Sequence, residues 1–95
     1  MSQKAVPADA REMAALPTLP SGVQARIRAA FHALSEAERM VGRFVEGFPE
    51  ETTRLPLKRL AERIGVSEAS IIRFSRAIGF QGVRDLKLAL AAETA

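Results

Sequence analysis

The stretch from Leu60 to Phe74 constrains the fold more than any other part of the chain. Leu60, Ala61 and Ile64 recur at helical spacing, Gly65 interrupts the period, and Ile71 and Phe74 resume it. Ala61 stands four residues before Gly65, where two helices cross closely and a larger side chain would push them apart. Gly65 can take the positive φ that a β-carbon resists. Val66 plugs the turn into the core, and Ile71 and Phe74 anchor the second helix on the first. These restraints predict two short helices joined by one tight turn, a helix-turn-helix.

The flanking sequence supplies more helices and no convincing strand, repeat or low-complexity segment. Residues 1–20 read as a flexible tail interrupted by Pro7, Pro17 and Pro20, with room for a short helix over Ala8 to Leu16. A first helix is expected from Ser21, which with Gln24 makes a capping-box pattern. Val23, Ile27, Ala30, Phe31 and Leu34 share one face of it. Ser35 with Glu38 is a second capping box. It opens a helix whose stripe is Ala37, Met40, Val41, Phe44, Val45 and Phe48, and Pro49 stops that helix. Gly42 and Gly47 either weaken it or let a neighbour pack closely.

Residues 49–55 are expected to form a connection. Pro56 suits the first turn of a third helix, with Leu57, Leu60, Ala61 and Ile64 facing inward. Ser67 caps a fourth, lined inside by Ile71, Phe74, Ser75 and Ile78. Gly79 ends it, and Gly82 opens a fifth in which Val83, Leu86 and Leu90 face inward. The expected architecture is all-α: a compact five-helix bundle over residues 21–95, whose third and fourth helices form the helix-turn-helix.

Composition agrees with close helix packing. A chain of 95 residues holds one small domain. Alanine is abundant and there is no Trp or Tyr. Without Cys there is no disulfide, thiolate zinc site or Cys nucleophile, and His32 is the one histidine. No metal or cofactor is implied. No apolar run approaches the roughly 20 residues of a membrane span, and Met1 to Leu19 lacks the apolar stretch of a secretory signal. A soluble cytoplasmic protein without a membrane partner is expected.

Charge is uneven. Residues 1–50 balance six basic against six acidic side chains, whereas residues 54–87 carry eight basic and three acidic, a net +5. Such an excess suits a polyanionic partner. At about 100° per residue, Ala69, Arg73 and Arg76 fall opposite the buried stripe of the fourth helix. Ser67, Glu68 and Ser70 occupy its first turn, the part that enters the major groove in this motif. Small side chains there permit close approach, and arginine suits bidentate contact with guanine. The expected base-reading set is Ser67, Glu68, Ala69, Ser70, Arg73 and Arg76. The expected phosphate set is Lys58, Arg59, Arg63, Gln81, Arg84 and Lys87.

These residues also resemble a known family. Leu60-Ala61, Val66-Ser67-Glu68, Ser70-Ile71, Arg73-Phe74, Ile78-Gly79-Phe80, Gly82 and Lys87 resemble the N-terminal helix-turn-helix domain of the MurR/RpiR bacterial transcriptional regulators. The segment from Leu34 to Val45 is similar to the helix that precedes it there, and the resemblance spans about residues 23–92. It implies sequence-specific binding of double-stranded DNA in transcription control, usually of sugar or amino-sugar catabolism. It further implies a homodimer and a C-terminal isomerase-type domain that binds a phosphosugar effector. That domain is not in this sequence, so only weak pairing is expected of the chain alone. Two positions depart from the family pattern. Pro56 stands where a serine is usual before the third helix, and Gln81 where a basic residue is common.

The alternatives are less well supported. A helical protein-interaction module reusing the same shape would carry an apolar outer face on the fourth helix. An enzyme would need converging titratable groups. Glu50 and Glu51 are sequence neighbours without facing geometry, and Ser67 and Ser70 have no base beside them. His32 reads as a partly exposed helix residue.

Overall fold

The computed structural model describes residues 22–94. The expected tail over residues 1–20 and the capping role of Ser21 lie outside the described residues. Six α-helices follow one another: α1 Val23–Ala30, α2 Glu36–Gly47, α3 Pro49–Arg54, α4 Leu57–Ile64, α5 Glu68–Ala77 and α6 Val83–Thr94. A 3₁₀ turn over Phe31–Ala33 extends α1. No strand occurs among the described residues. The helix-turn-helix of the sequence reading is therefore α4 and α5.

The extra helix is α3, in the segment expected to be a connection. Pro49 breaks the α2 ladder because it has no N–H to donate. The same deficiency costs nothing at the first position of a new helix, where no intrahelical acceptor is available. Glu50 and Glu51 then sit in the first turn and Arg54 in the last, each favourable with the helix dipole. Thr52 is fully buried, and its Oγ1 donates to the Phe48 carbonyl at 2.8 Å.

Other boundaries shift for local reasons. The first helix is N-capped by Gly22, without a side-chain bond. Its first amide, that of Val23, instead donates to Glu93 Oε2 at 2.8 Å, so the end of α6 caps the start of α1. The Ser35–Glu38 capping box is complete, with bonds of 3.2 and 2.9 Å in its two directions. Pro56 is the N-cap of α4 rather than part of its first turn. Along α2, Val41, Phe44 and Val45 are buried, but Met40 and Phe48, expected in the same stripe, are exposed. The stripe is narrower than the sequence pattern suggested; α2 packs mainly on α5, and next on α3.

Phe74 sits in the core with no exposed surface, alongside Ile27, Val41, Leu60, Ile71 and Leu86. Removing a side chain of that size from water contributes about 2–3 kcal/mol. Gly42 lies against it: a β-carbon there would stand 3.3 Å from the Phe74 ring and 3.2 Å from Ile27. The glycine thus permits the close approach of α1, α2 and α5. The helix α3 packs mainly on α6.

Candidate nucleic-acid interface

The site is built around the turn that presents α5. Gly65 ends α4 at φ 89° and ψ 34°, in the left-handed region, and its amide donates to the Ala61 carbonyl at 2.8 Å. The Val66 amide reaches the same carbonyl at 3.1 Å. Nothing crowds the space a Gly65 β-carbon would occupy, so backbone conformation alone calls for glycine. Val66 packs half-buried against the core. Ser67 then caps α5, its Oγ accepting from the Ser70 amide at 3.1 Å.

The far end of α5 is held equally firmly. Gly79 takes φ 101°, its amide donates to the Arg76 carbonyl at 3.0 Å, and the Phe80 amide donates to Ser75 at 2.9 Å. This pair of bonds is a Schellman ending. Arg26 of α1 clasps it: Nη1 donates to the Ile78 carbonyl at 3.1 Å, and the guanidinium lies 4.8 Å over the Phe80 ring. Both ends of α5 are thus fixed before any partner arrives.

Along α5, Ile71, Phe74 and Ser75 face the core, whereas Glu68, Ala69, Arg73, Arg76 and Ala77 are exposed. Ser67 is exposed at the cap. Ser70 departs from expectation. It is buried, its Oγ lies 3.0 Å from Ser67 Oγ, and it accepts from Arg73 Nη2 at 3.3 Å. Its hydroxyl is turned to its own helix, because the inward neighbours Ile71 and Phe74 set the rotation of that turn. Arg73 remains largely outside, with Nε 3.7 Å from Glu38 Oε2. Arg76 donates from Nε to the Gln81 carbonyl at 3.2 Å.

The other cations divide into two groups. Lys58 and Arg59, in the first turn of α4, and Arg84, in the first turn of α6, are exposed. Arg59 has only a loose pair with Glu62 at 3.9 Å. Gln81 is also exposed, its amide held by Asp85 Oδ2 at 3.1 Å. Arg63, exposed, and Lys87, half-buried, are engaged by the protein's own groups instead. Arg63 pairs with Glu51 at 3.2 Å and stacks on Phe44 and Phe48. Lys87 donates from Nζ to the Leu55 carbonyl, which ends α3, and burial lowers its pKa from the usual 10.5. Both were expected as phosphate ligands. The unforeseen helix α3 supplies the partner of each.

Two residues that shape the site escaped the sequence reading. Glu38 was recognised only as half of a capping box, and nothing in its spacing points to Arg73. Arg26 acts across 52 residues of sequence, a separation at which helical periodicity carries no signal. His32 is exposed. Among the described residues no group of acidic, His or Cys side chains is placed to hold a metal ion, and no helix is long and apolar enough to cross a membrane.

Comparison with known proteins agrees with this geometry. The family model described as "Helix-turn-helix domain, rpiR family" matches residues 21–95. The chain is 39% identical over 71 residues to "Bifunctional protein glk" of Burkholderia mallei, a match covering 75% of this chain and 11% of that protein. It is 36% identical over 73 residues to an uncharacterized HTH-type transcriptional regulator of Caldanaerobacter subterraneus, covering 77% of this chain and 26% of the relative. A similar regulator of Haemophilus influenzae is 30% identical over 70 residues, covering 74% of this chain and 24% of its own. The chain thus spans from about a tenth to about a quarter of these relatives. The tight turn at Gly65, the capped and outward-facing α5 and the match along residues 21–95 agree: the chain belongs to the rpiR family of helix-turn-helix domains.

Proposed function

We propose that this domain binds double-stranded DNA sequence-specifically, with the first turns of α5 in the major groove, and so regulates transcription. The observation that carries the reading is the outer face of α5. It offers Glu68, Ala69, Arg73 and Arg76, and the large exposed apolar side chains among the described residues, Met40, Phe48 and Leu88, lie elsewhere. An interaction module that buried this face against protein would present apolar anchors there. Arginine on a helix face held at both ends suits base edges and phosphates instead.

Arg73 and Arg76, with Ser67, Glu68 and Ala69 around the cap, form the reading surface. Ser70 supports it from within. Lys58, Arg59, Arg84 and Gln81 remain the better-placed phosphate ligands, with Arg63 and Lys87 subordinate because their charges are already engaged. The mechanism is noncovalent: phosphate contacts set position and the α5 side chains select bases.

The family resemblance extends the proposal to genes of sugar or amino-sugar catabolism in a bacterial cytoplasm. Regulators of this kind read two half-sites about one DNA turn apart, which makes a two-fold homodimer the working assembly. A phosphosugar effector would act through the isomerase-type domain that the resemblance implies, not through α1 to α6.

The test is a fluorescence-anisotropy titration with mixed-sequence duplex at increasing salt. With a net +5 over residues 54–87, log K is expected to fall linearly with log salt, by about 0.9 for each phosphate contacted. A salt slope near zero, or no binding at low salt, refutes the proposal.

A further inference from the structure

One carboxylate sits where a DNA-binding surface should not want it. Glu38 Oε1 accepts the Ser35 amide at 2.9 Å and completes the α2 capping box. Its Oε2 lies 3.7 Å from Nε of Arg73, the arginine offered to DNA. An acidic group there opposes the approach of phosphate. Yet the arrangement is firmly held. The Glu38 side chain is only 13% exposed, against 60% for Arg73, and the bond to the Ser35 amide fixes the carboxylate in place.

The second contact of Arg73 lies on the same side. Nη2 donates to Ser70 Oγ at 3.3 Å, and Ser70 is itself buried and paired with Ser67. Nε and Nη2 form one edge of the planar guanidinium, so both internal contacts use that edge. The end-on fork, Nη1 with the outer hydrogen of Nη2, has no partner among the described residues. Two parallel donors on a rigid fork match the O6 and N7 acceptors of guanine.

We propose that Glu38 is a specificity-determining positioning residue. It holds the side edge of Arg73 against α2, so that the open fork meets a base rather than the nearest phosphate. The inference rests on the DNA-reading function proposed above. Unrestrained, an arginine at this position is drawn to any phosphate, and every sequence gains equally. Paired with Glu38, its charge is partly compensated and its swing is limited. General affinity falls, while a complex that fills the fork loses little.

A double-mutant cycle with Glu38→Gln and Arg73→Ala tests this. Binding is read by anisotropy on two probes, a randomised duplex pool and the duplex that the wild-type protein enriches from that pool. Glutamine is accepted at the third position of a capping box, so the helix start survives, and thermal melting checks the fold. Glu38→Gln is expected to bind the random pool about two- to fivefold tighter. Its salt slope should steepen by about 0.9, one added phosphate contact, and its preference for the enriched duplex should fall by the same factor. In the Arg73→Ala background the steeper salt slope and the loss of preference should both disappear, leaving only the general gain from removing a negative charge.

Ser35→Ala removes the other half of the capping box and leaves the carboxylate. It should keep the preference even if it melts earlier. An equal loss of preference in Ser35→Ala overturns the inference. So does wild-type binding to the enriched duplex with a preference that Glu38→Gln leaves unchanged, a result that leaves the DNA-reading function standing. Failure of the wild-type protein to bind either probe overturns both.

Discussion

Gly79→Ala should be the most damaging single methyl in the domain. Gly79 holds φ 101°, a region in which a β-carbon costs about 1 kcal/mol or more. Its β-carbon would also overlap Nη1 of Arg26. The obstacle is the tip of a flexible side chain, so the guanidinium would move rather than the backbone. The cost is then what Arg26 releases. Its bond to the Ile78 carbonyl has a charged donor and contributes about 1.5–3 kcal/mol. Its stacking over Phe80 adds about 0.5–1 kcal/mol. Renewed hydration of the freed guanidinium returns part of this, which leaves about 2–4 kcal/mol in all.

Gly65 is the internal control, because it has a similar φ of 89° and nothing near its missing β-carbon. Gly65→Ala should lose only the conformational part, about 1 kcal/mol. Urea unfolding followed by circular dichroism measures both. In Arg26→Ala protein, the excess of Gly79→Ala over Gly65→Ala should vanish, since the displaced group is gone. Equal midpoints for the two alanine variants in the wild-type background would refute the reasoning.

Arg73→Ala should weaken binding to the preferred duplex by about 1–3 kcal/mol and relax its sequence preference. Arg59→Ala should act weakly and equally on all sequences in the same anisotropy assay. Gly65→Val, at a left-handed position, should lower stability by more than about 1 kcal/mol, read as a drop in urea midpoint. Burial lowers the Lys87 pKa below 10.5 in the folded protein. Between the folded value and 10.5 the unfolded chain binds more protons, so stability should rise with pH across that window. Lys87→Met should flatten that rise, read as urea midpoints across the window.

What the sequence made legible follows from the range of the interactions. Ser35 with Glu38, Ser67 with Ser70, and the Gly65 and Gly79 endings act within a few residues, and their spacing carries the geometry. The buried stripe Ile71, Phe74, Ser75 and Ile78 is equally local. Reading Pro49 only as a stop hides α3, because the residue that ends one helix can begin the next. That omission carried over to Arg63 and Lys87, whose partners Glu51 and the Leu55 carbonyl belong to α3 and its end. The position of Ser70 in the first turn is what puts it in the expected base-reading set. At the helix start, the groove-facing and core-facing arcs lie a single residue apart, and Ser70 fell on the inner side. Arg26 on Ile78 and Glu93 on Val23 join distant segments, and no local pattern announces them.

The central claim is that α5 meets DNA with its capped end and its two arginines. Amide chemical-shift mapping on isotope-labelled protein, titrated with duplex DNA, tests it most directly. The account predicts the largest changes from Ser67 to Arg73 and at Arg76, smaller ones at the starts of α4 and α6, and little change along α1. Shifts centred on the exposed side of α2 around Met40, with α5 silent, would contradict it.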